Sequence, residues 1–232
     1  MKGIAIYFEG GGDTAHQKVE LRNGLDRLLD AQKTAARGKG LGWKSVPSGG
    51  RQRAYDAFIN AMRKGYGTTL NVLLVDSEEA LAPEPPPAET ESQEEKRQRE
   101  RSNARVRRDH LASRDGWDLS DVEPEQIHLM VPCMEAWIAA DPDGMALYYG
   151  QGFRLKSLPR RLNLEDEPKA NLYSKLANAT KDTSKGEYSE SNNAKIRHAS
   201  KLLEKISATK VAARCPRFAA FTAWLDQRIE EA

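Results

Sequence analysis

Leu70-Asn71-Val72-Leu73-Leu74-Val75-Asp76-Ser77-Glu78 decides the fold. Its first six residues are nearly all apolar, as expected of a strand covered on both faces, and the run stops at a cluster of acids. Upstream, Ile4-Ala5-Ile6-Tyr7-Phe8 makes a second such run and ends in Glu9-Gly10-Gly11-Gly12-Asp13-Thr14, a tight turn in which Asp13 or Thr14 can cap the next helix. That helix carries Leu21, Leu25, Leu28 and Leu29 on one face. Trp43 to Pro47 reads as a further strand, and Ser48-Gly49-Gly50 turns into a helix with Ala54, Ala57, Phe58, Ala61 and Met62. Strand, helix, strand, helix, strand is the order of an α/β protein with a parallel sheet.

Beyond Glu79 the order breaks. Pro83 to Glu95 is rich in Pro, Glu, Ser and Thr with no basic residue, which reads as a solvated, mobile insertion. From Glu94 to Arg114 the sign reverses, with eight Lys and Arg against four Asp and Glu in a helix-prone stretch. Gln126 to Val131 forms a fourth strand; Pro132 begins a helix through Trp137, and Asp141-Pro142 begins another. Downstream, Ile196, Ala199, Leu203 and Ile206 form one helical stripe and Phe218, Phe221, Leu225 and Ile229 a second, separated from earlier helices by a polar loop over Lys181 to Asn193. The expected architecture is an α/β, Rossmann-like core over 1–150 with a mostly parallel four-stranded sheet flanked by helices. It carries a charged insertion at about 80–105, and a helical extension over 151–232 packs on it.

The 36 Lys and Arg against 34 Asp and Glu leave a formal charge of +2, so overall charge alone argues for neither nucleic acid nor membrane. No apolar run approaches the ~20 residues of a membrane helix. Met1 to Phe8 is too short an apolar stretch for a signal peptide, so a cytoplasmic protein without a membrane partner is expected. Cys133 and Cys215 are too few and too far apart for a disulfide framework or zinc site and read as buried thiols. Gly38 to Ser45 is no phosphate loop, because Trp43 intervenes before Lys44-Ser45.

In an open parallel sheet, ligands bind outside the carboxyl ends of the strands. Glu9 ends the first strand, and Asp76 and Glu78 end the third. If those strands are neighbours, three carboxylates converge, and a cation must offset their mutual repulsion. Mg²⁺ or Mn²⁺ suits one or two such carboxylates with water and phosphate oxygens, and Glu9 beside three glycines could carry a proton where a phosphate comes close. The plainer alternative is that acids end strands because loops are solvated.

The residues carry a resemblance. An apolar strand ending in Glu9-Gly10-Gly11-Gly12-Asp13 and a second ending in Asp76-Ser77-Glu78 resemble the Toprim domain, a catalytic module of topoisomerases, bacterial primases and OLD-family nucleases. The likeness is closer to a bacterial Toprim-like family encoded beside an ATPase in phage-defence islands. The segments similar to that family are Phe8-Glu9-Gly10-Gly11-Gly12-Asp13, Ser48-Gly49-Gly50-Arg51, Leu74-Val75-Asp76-Ser77-Glu78, and His128 to Val131 running into Cys133-Met134-Glu135-Ala136-Trp137. Towards the end, Lys185-Gly186-Glu187-Tyr188, Lys195 with His198, and Cys215-Pro216 are similar to it too. One departure is Asp76-x-Glu78 where many Toprim domains have Asp-x-Asp, a longer arm that moves the metal position.

The resemblance implies a Mg²⁺-dependent nuclease acting on RNA or DNA, an effector of anti-phage defence with an ABC/AAA-type ATPase partner, and leaves room for a homo-oligomer. Glu9, Asp76 and Glu78 would be catalytic and metal-holding. Gly10, Gly11, Asp13, Arg51, Glu135, Lys185, Lys195 and His198 would surround the substrate. Two other readings stand beside it: a non-catalytic module binding nucleic acid or a partner, and a small-phosphoester hydrolase. The basic segment Lys96 to Arg108 is either a contact for a phosphate backbone or a helix laced with its own ion pairs.

Overall fold

A computed structural model describes residues 1–64, 68–82, 84, 90–190 and 194–232, with the side chains of 194 and 195 left out. Four strands, β1 (Gly3–Phe8), β2 (Gly42–Pro47), β3 (Thr69–Asp76) and β4 (Ile127–Met130), form one all-parallel sheet in the order β2-β1-β3-β4. The fold is α/β, with helices on both faces.

The alternation of side chains along the strands sorts the core into two layers. Ile4, Ile6, Phe8, Val72, Leu74 and Met130 point to one face; Ala5, Tyr7, Leu73, Val75, Ile127 and Leu129 point to the other. The first face is covered by α1 (Ala15–Leu28), α2 (Asp30–Gly38), α5 (Met134–Ala139), α6 (Pro142–Tyr149) and the C-terminal helices α7 (Lys169–Thr180), α8 (Ala194–Leu203), α9 (Ala208–Arg214) and α10 (Pro216–Glu230). The second is covered by α3 (Arg51–Arg63), α4 (Gln93–Asp115) and the segment through Trp117 and Leu119. One apolar cluster thus runs from Ile4 to Ile229 and joins the sheet to the C-terminal helices.

Thr14, not Asp13, caps α1, in a capping box with Gln17; Asp13 instead pairs with Arg53 at 2.6 Å. The helix with the leucine stripe ends at Leu28. The fully buried Leu29 leaves helical geometry and α2 starts after it, with Ala36 in the same core. Gly24 allows α1 to lie directly on α8, since a Cβ there would stand 2.5 Å from the Ser200 carbonyl. Pro132 lies outside α5, which begins at Met134, because Pro132 offers its carbonyl to the Glu78 N–H and so belongs to the strand-end turn. Asp141 caps α6 with Pro142 in its first turn. α8 ends at Leu203, and Ile206 reaches the core from the following turn.

Cys133 and Cys215 are buried and unbridged. Of the segment read as a mobile insertion, residues 83 and 85–89 lie outside the described ones. Glu84 and Glu91 on either side are tied to Arg107 and Arg99, both at 2.8 Å. Among the described residues no helix is long and apolar enough to cross a membrane.

Candidate metal centre

The strand order reverses at β1 and β3. The connection from β1 leads outward to β2, and the chain returns on the other side, which opens a crevice at their carboxyl ends. Glu9 follows β1 directly, Asp76 closes β3, and Glu78 lies two residues on. One carboxylate oxygen from each lies within 4.8 Å of the other two. The convergence inferred from the sequence is therefore realised by the neighbouring pairing of β1 and β3.

Each carboxylate is held in place. Glu9 accepts from the Asp76 N–H and from Arg51 Nη1, both at 3.2 Å, and Asp76 accepts from the Met134 N–H at the start of α5, at 2.9 Å. Glu78 has a φ of 72°, left-handed backbone that a side chain other than Gly, Asn or Asp seldom adopts. Its N–H bonds the Pro132 carbonyl and its carboxylate takes Lys169 Nζ at 2.5 Å. Such local strain persists only where surroundings over-determine it, and it turns Glu78 back toward the other two acids.

Two cations offset the repulsion among the acids. Arg51, at the start of α3, bridges Glu9 to Asp115 through a two-pronged bond of 3.0 and 2.7 Å, donates to the Asp76 carbonyl, and lies over the Trp117 ring. Burial works against its charge, but the Asp115 bond and the carboxylates outweigh that and raise its pKa. Lys169 shows the same balance: burial lowers its pKa, the Glu78 bond and the charges of Glu78 and Asp76 raise it, and the net is upward. Tyr173, one turn further along α7, is pushed up by burial and then by the charges of Glu135, Cys133 and Asp76.

Gly10, Gly11 and Gly12 all have positive φ, and the loop packs closely: a Cβ at Gly10 would stand 2.9 Å from the Leu21 side chain. Gly10 and Gly49 exchange backbone hydrogen bonds, so the loop is fixed against the end of β2. Asp13 points away to Arg53 with an exposed side chain.

Glu135 is fully buried and accepts from the Tyr188 hydroxyl at 2.8 Å, outside the three-carboxylate group. His198 belongs to a separate cluster: its Nδ1 faces the Tyr148 hydroxyl at 2.8 Å, Lys185 Nζ lies 5.1 Å from the Tyr148 ring, and Tyr188 stands between His198 and Glu135. Burial, then the charges of Arg197 and Lys185, lowers the His198 pKa to about 4. At neutral pH it is uncharged and gives a phosphate no cation. The Lys195 side chain lies outside the described residues.

Lys169, Tyr173 and Asp115 escaped sequence reasoning. Their partners are far away in the chain, and an isolated Lys at a helix start or an Asp before a glycine carries no local signal.

A family model described as Domain of unknown function (DUF4276) matches residues 8–226. The chain belongs to that family. The match begins at the last residue of β1 and ends within α10, so family membership embraces the crevice, α4 and the C-terminal helices together. No curated protein and no solved structure matches.

Proposed function

We propose that the crevice is a Mg²⁺- or Mn²⁺-dependent phosphodiesterase centre and that the protein is a Toprim-type nuclease acting on RNA or DNA. The observation that carries this reading is the convergence of Glu9, Asp76 and Glu78 at the topological switch point of the sheet. The donor set fits a hard divalent cation: three carboxylates, all oxygen, with a concentration of negative charge that two protein cations already answer. Asp76 and Glu78 would hold the ion with Glu9 beside them. A bound Mg²⁺ supplies Lewis-acid stabilisation of charge on the phosphate.

The chain's own residues do the rest. Glu9, fixed by Arg51 and the Asp76 N–H, takes a proton from the attacking water. Gly10 to Gly12, next to Glu9 in the chain, add no side chain of their own to the approach of a phosphate. Lys169, now bonded to Glu78, is the cation on the C-terminal side of the crevice able to meet a phosphate oxygen. The anti-phage setting and the ATPase partner rest on the Toprim resemblance, and the cytoplasmic location on the lack of a membrane-length apolar run; all three belong to the same proposal.

The test is to incubate the protein with tRNA, single-stranded DNA and plasmid, with and without Mg²⁺ or Mn²⁺, while calorimetry follows metal binding. Glu9→Gln and Asp76→Asn should each lower cleavage by at least about 100-fold with the melting curve intact, and Asp76→Asn should also abolish metal binding. Full activity in either variant, or no metal binding by the parent protein, would overturn the reading. Metal binding without cleavage of any substrate would favour the non-catalytic module, and cleavage confined to mononucleotide esters the small-phosphoester hydrolase.

A further inference from the structure

The arginines of α4 divide into two sets. Arg99 and Arg107 face inward: Arg99 pairs with Glu91, and Arg107 pairs with Glu84 and donates to the Ile127 carbonyl, covering the open edge of β4. Arg97, Arg101, Arg105 and Arg108 face outward at i, i+4, i+8 and i+11, one continuous ridge about 17 Å long at 1.5 Å per residue. Arg97 and Arg105 have no ion-pair partner among the described residues. Arg101 reaches Glu125 only at 3.8 Å, and Arg108 bonds its own neighbour Asp109. Exposed pairs of this kind contribute little and are readily exchanged for another anion.

Arg101, Arg105 and Arg108 form one wall of a groove of about 750 Å³, and Arg228 of α10 closes its end. The opposite wall carries Asp121, Glu123 and Glu125, so an acidic wall faces the basic one formed by α4.

We infer that the outward ridge of α4 is a docking surface for the phosphate backbone of a nucleic-acid strand. Three observations favour that partner over an acidic protein surface. The cations are all arginine, whose planar fork suits phosphate oxygens. Their axial spacing, about 6 Å per four residues, is regular, like the charges of a phosphate chain. The ridge also leads to the acid centre: Asp115 lies two helical turns beyond Arg108 on the same face, and it holds the Arg51 that holds Glu9. A strand along α4 is thereby guided to the crevice. The choice of nucleic acid rests on the phosphodiesterase reading of that crevice.

The experiment separates binding from cleavage. Fluorescein-labelled single-stranded RNA and DNA oligonucleotides are titrated with full-length protein in EDTA at salt from about 50 to 200 mM. The parent protein should bind with affinity that falls linearly in log–log form. The triple variant Arg97→Gln/Arg101→Gln/Arg105→Gln should bind at least tenfold more weakly at the lowest salt, and its slope should be shallower by about 2, since each phosphate left without its arginine removes about 0.7. A control that removes charge elsewhere, Lys156→Gln/Arg160→Gln, should bind as the parent does. Circular dichroism melts confirm that both variants fold. Unchanged binding in the triple variant, an equal weakening in the control, or no oligonucleotide binding by the parent would overturn the inference, the last leaving the ridge to an acidic protein partner. Binding that depends on the ridge, with no metal-dependent cleavage, would uphold this surface and sink the nuclease assignment.

Discussion

The crevice and the outer face of α4 are both dense in charge, yet they are built in opposite ways. In the crevice every described charge is engaged across a long stretch of chain: Arg51 with Glu9 and Asp115, Lys169 with Glu78. On α4 the outward arginines are loosely engaged: Arg101 reaches Glu125 at 3.8 Å, Arg108 bonds its neighbour Asp109, and Arg97 and Arg105 have no ion-pair partner among the described residues. Buried charge must be matched by a specific partner, because leaving water costs several kcal/mol per ion. Exposed charge is matched by solvent and is free for an external ligand. On the proposed reading, the difference separates a fixed reaction centre from an adaptable docking surface.

The sharpest way to break the contrast is Arg51→Ala. It strips Glu9 and Asp115 of their shared cation in a mostly buried setting, and should cost about 3 kcal/mol in urea melts. A drop under about 1 kcal/mol would place Arg51 with the solvated arginines of α4 instead.

Acidification probes a third treatment of charge, suppression by burial. His198 and His128 both have pKa values held below the ordinary 6.5, His128 by burial and then Arg107. A histidine whose folded-state pKa is depressed binds fewer protons folded than unfolded, so stability falls as pH drops below 6.5 and, for His198, continues to fall until about 4. Between pH 6.5 and 5 His198 should contribute a decrease of up to about 2 kcal/mol. His198→Gln should flatten the pH dependence of the urea midpoint by its share, and an unaltered slope would refute the suppression.

The smallest effect belongs to the ridge. Arg105→Gln should move stability by less than about 0.5 kcal/mol, because its side chain meets no ion-pair partner among the described residues. A larger change would show Arg105 to be structural, like Arg107.

The fold was largely legible because its signals are local. The apolar runs at 4–8 and 70–75, the glycine turn after Glu9 and the acids at Asp76 and Glu78 name two strands, their direction and their acidic ends. The break at Leu29 was not legible, since Leu29 reads as the last apolar residue of the stripe and nothing local marks where one helix ends and the next begins. Nor was the division of α4: Lys96 to Arg108 reads as one basic block, and only the packing against Glu84, Glu91 and β4 shows which arginines are consumed.

The sequence by itself determined the strand–helix order, the acidic strand ends and the family membership that spans them. Periodicity and turn chemistry act over a few residues and are written in the chain. Tertiary structure alone decided that β1 and β3 are neighbours, that Arg51 and Lys169 answer the three acids, and that His198 is buried without charge beside Tyr148. Those facts depend on partners 42 to 91 residues apart, and what brings them together is the burial of one apolar core rather than any affinity readable between two positions in the chain.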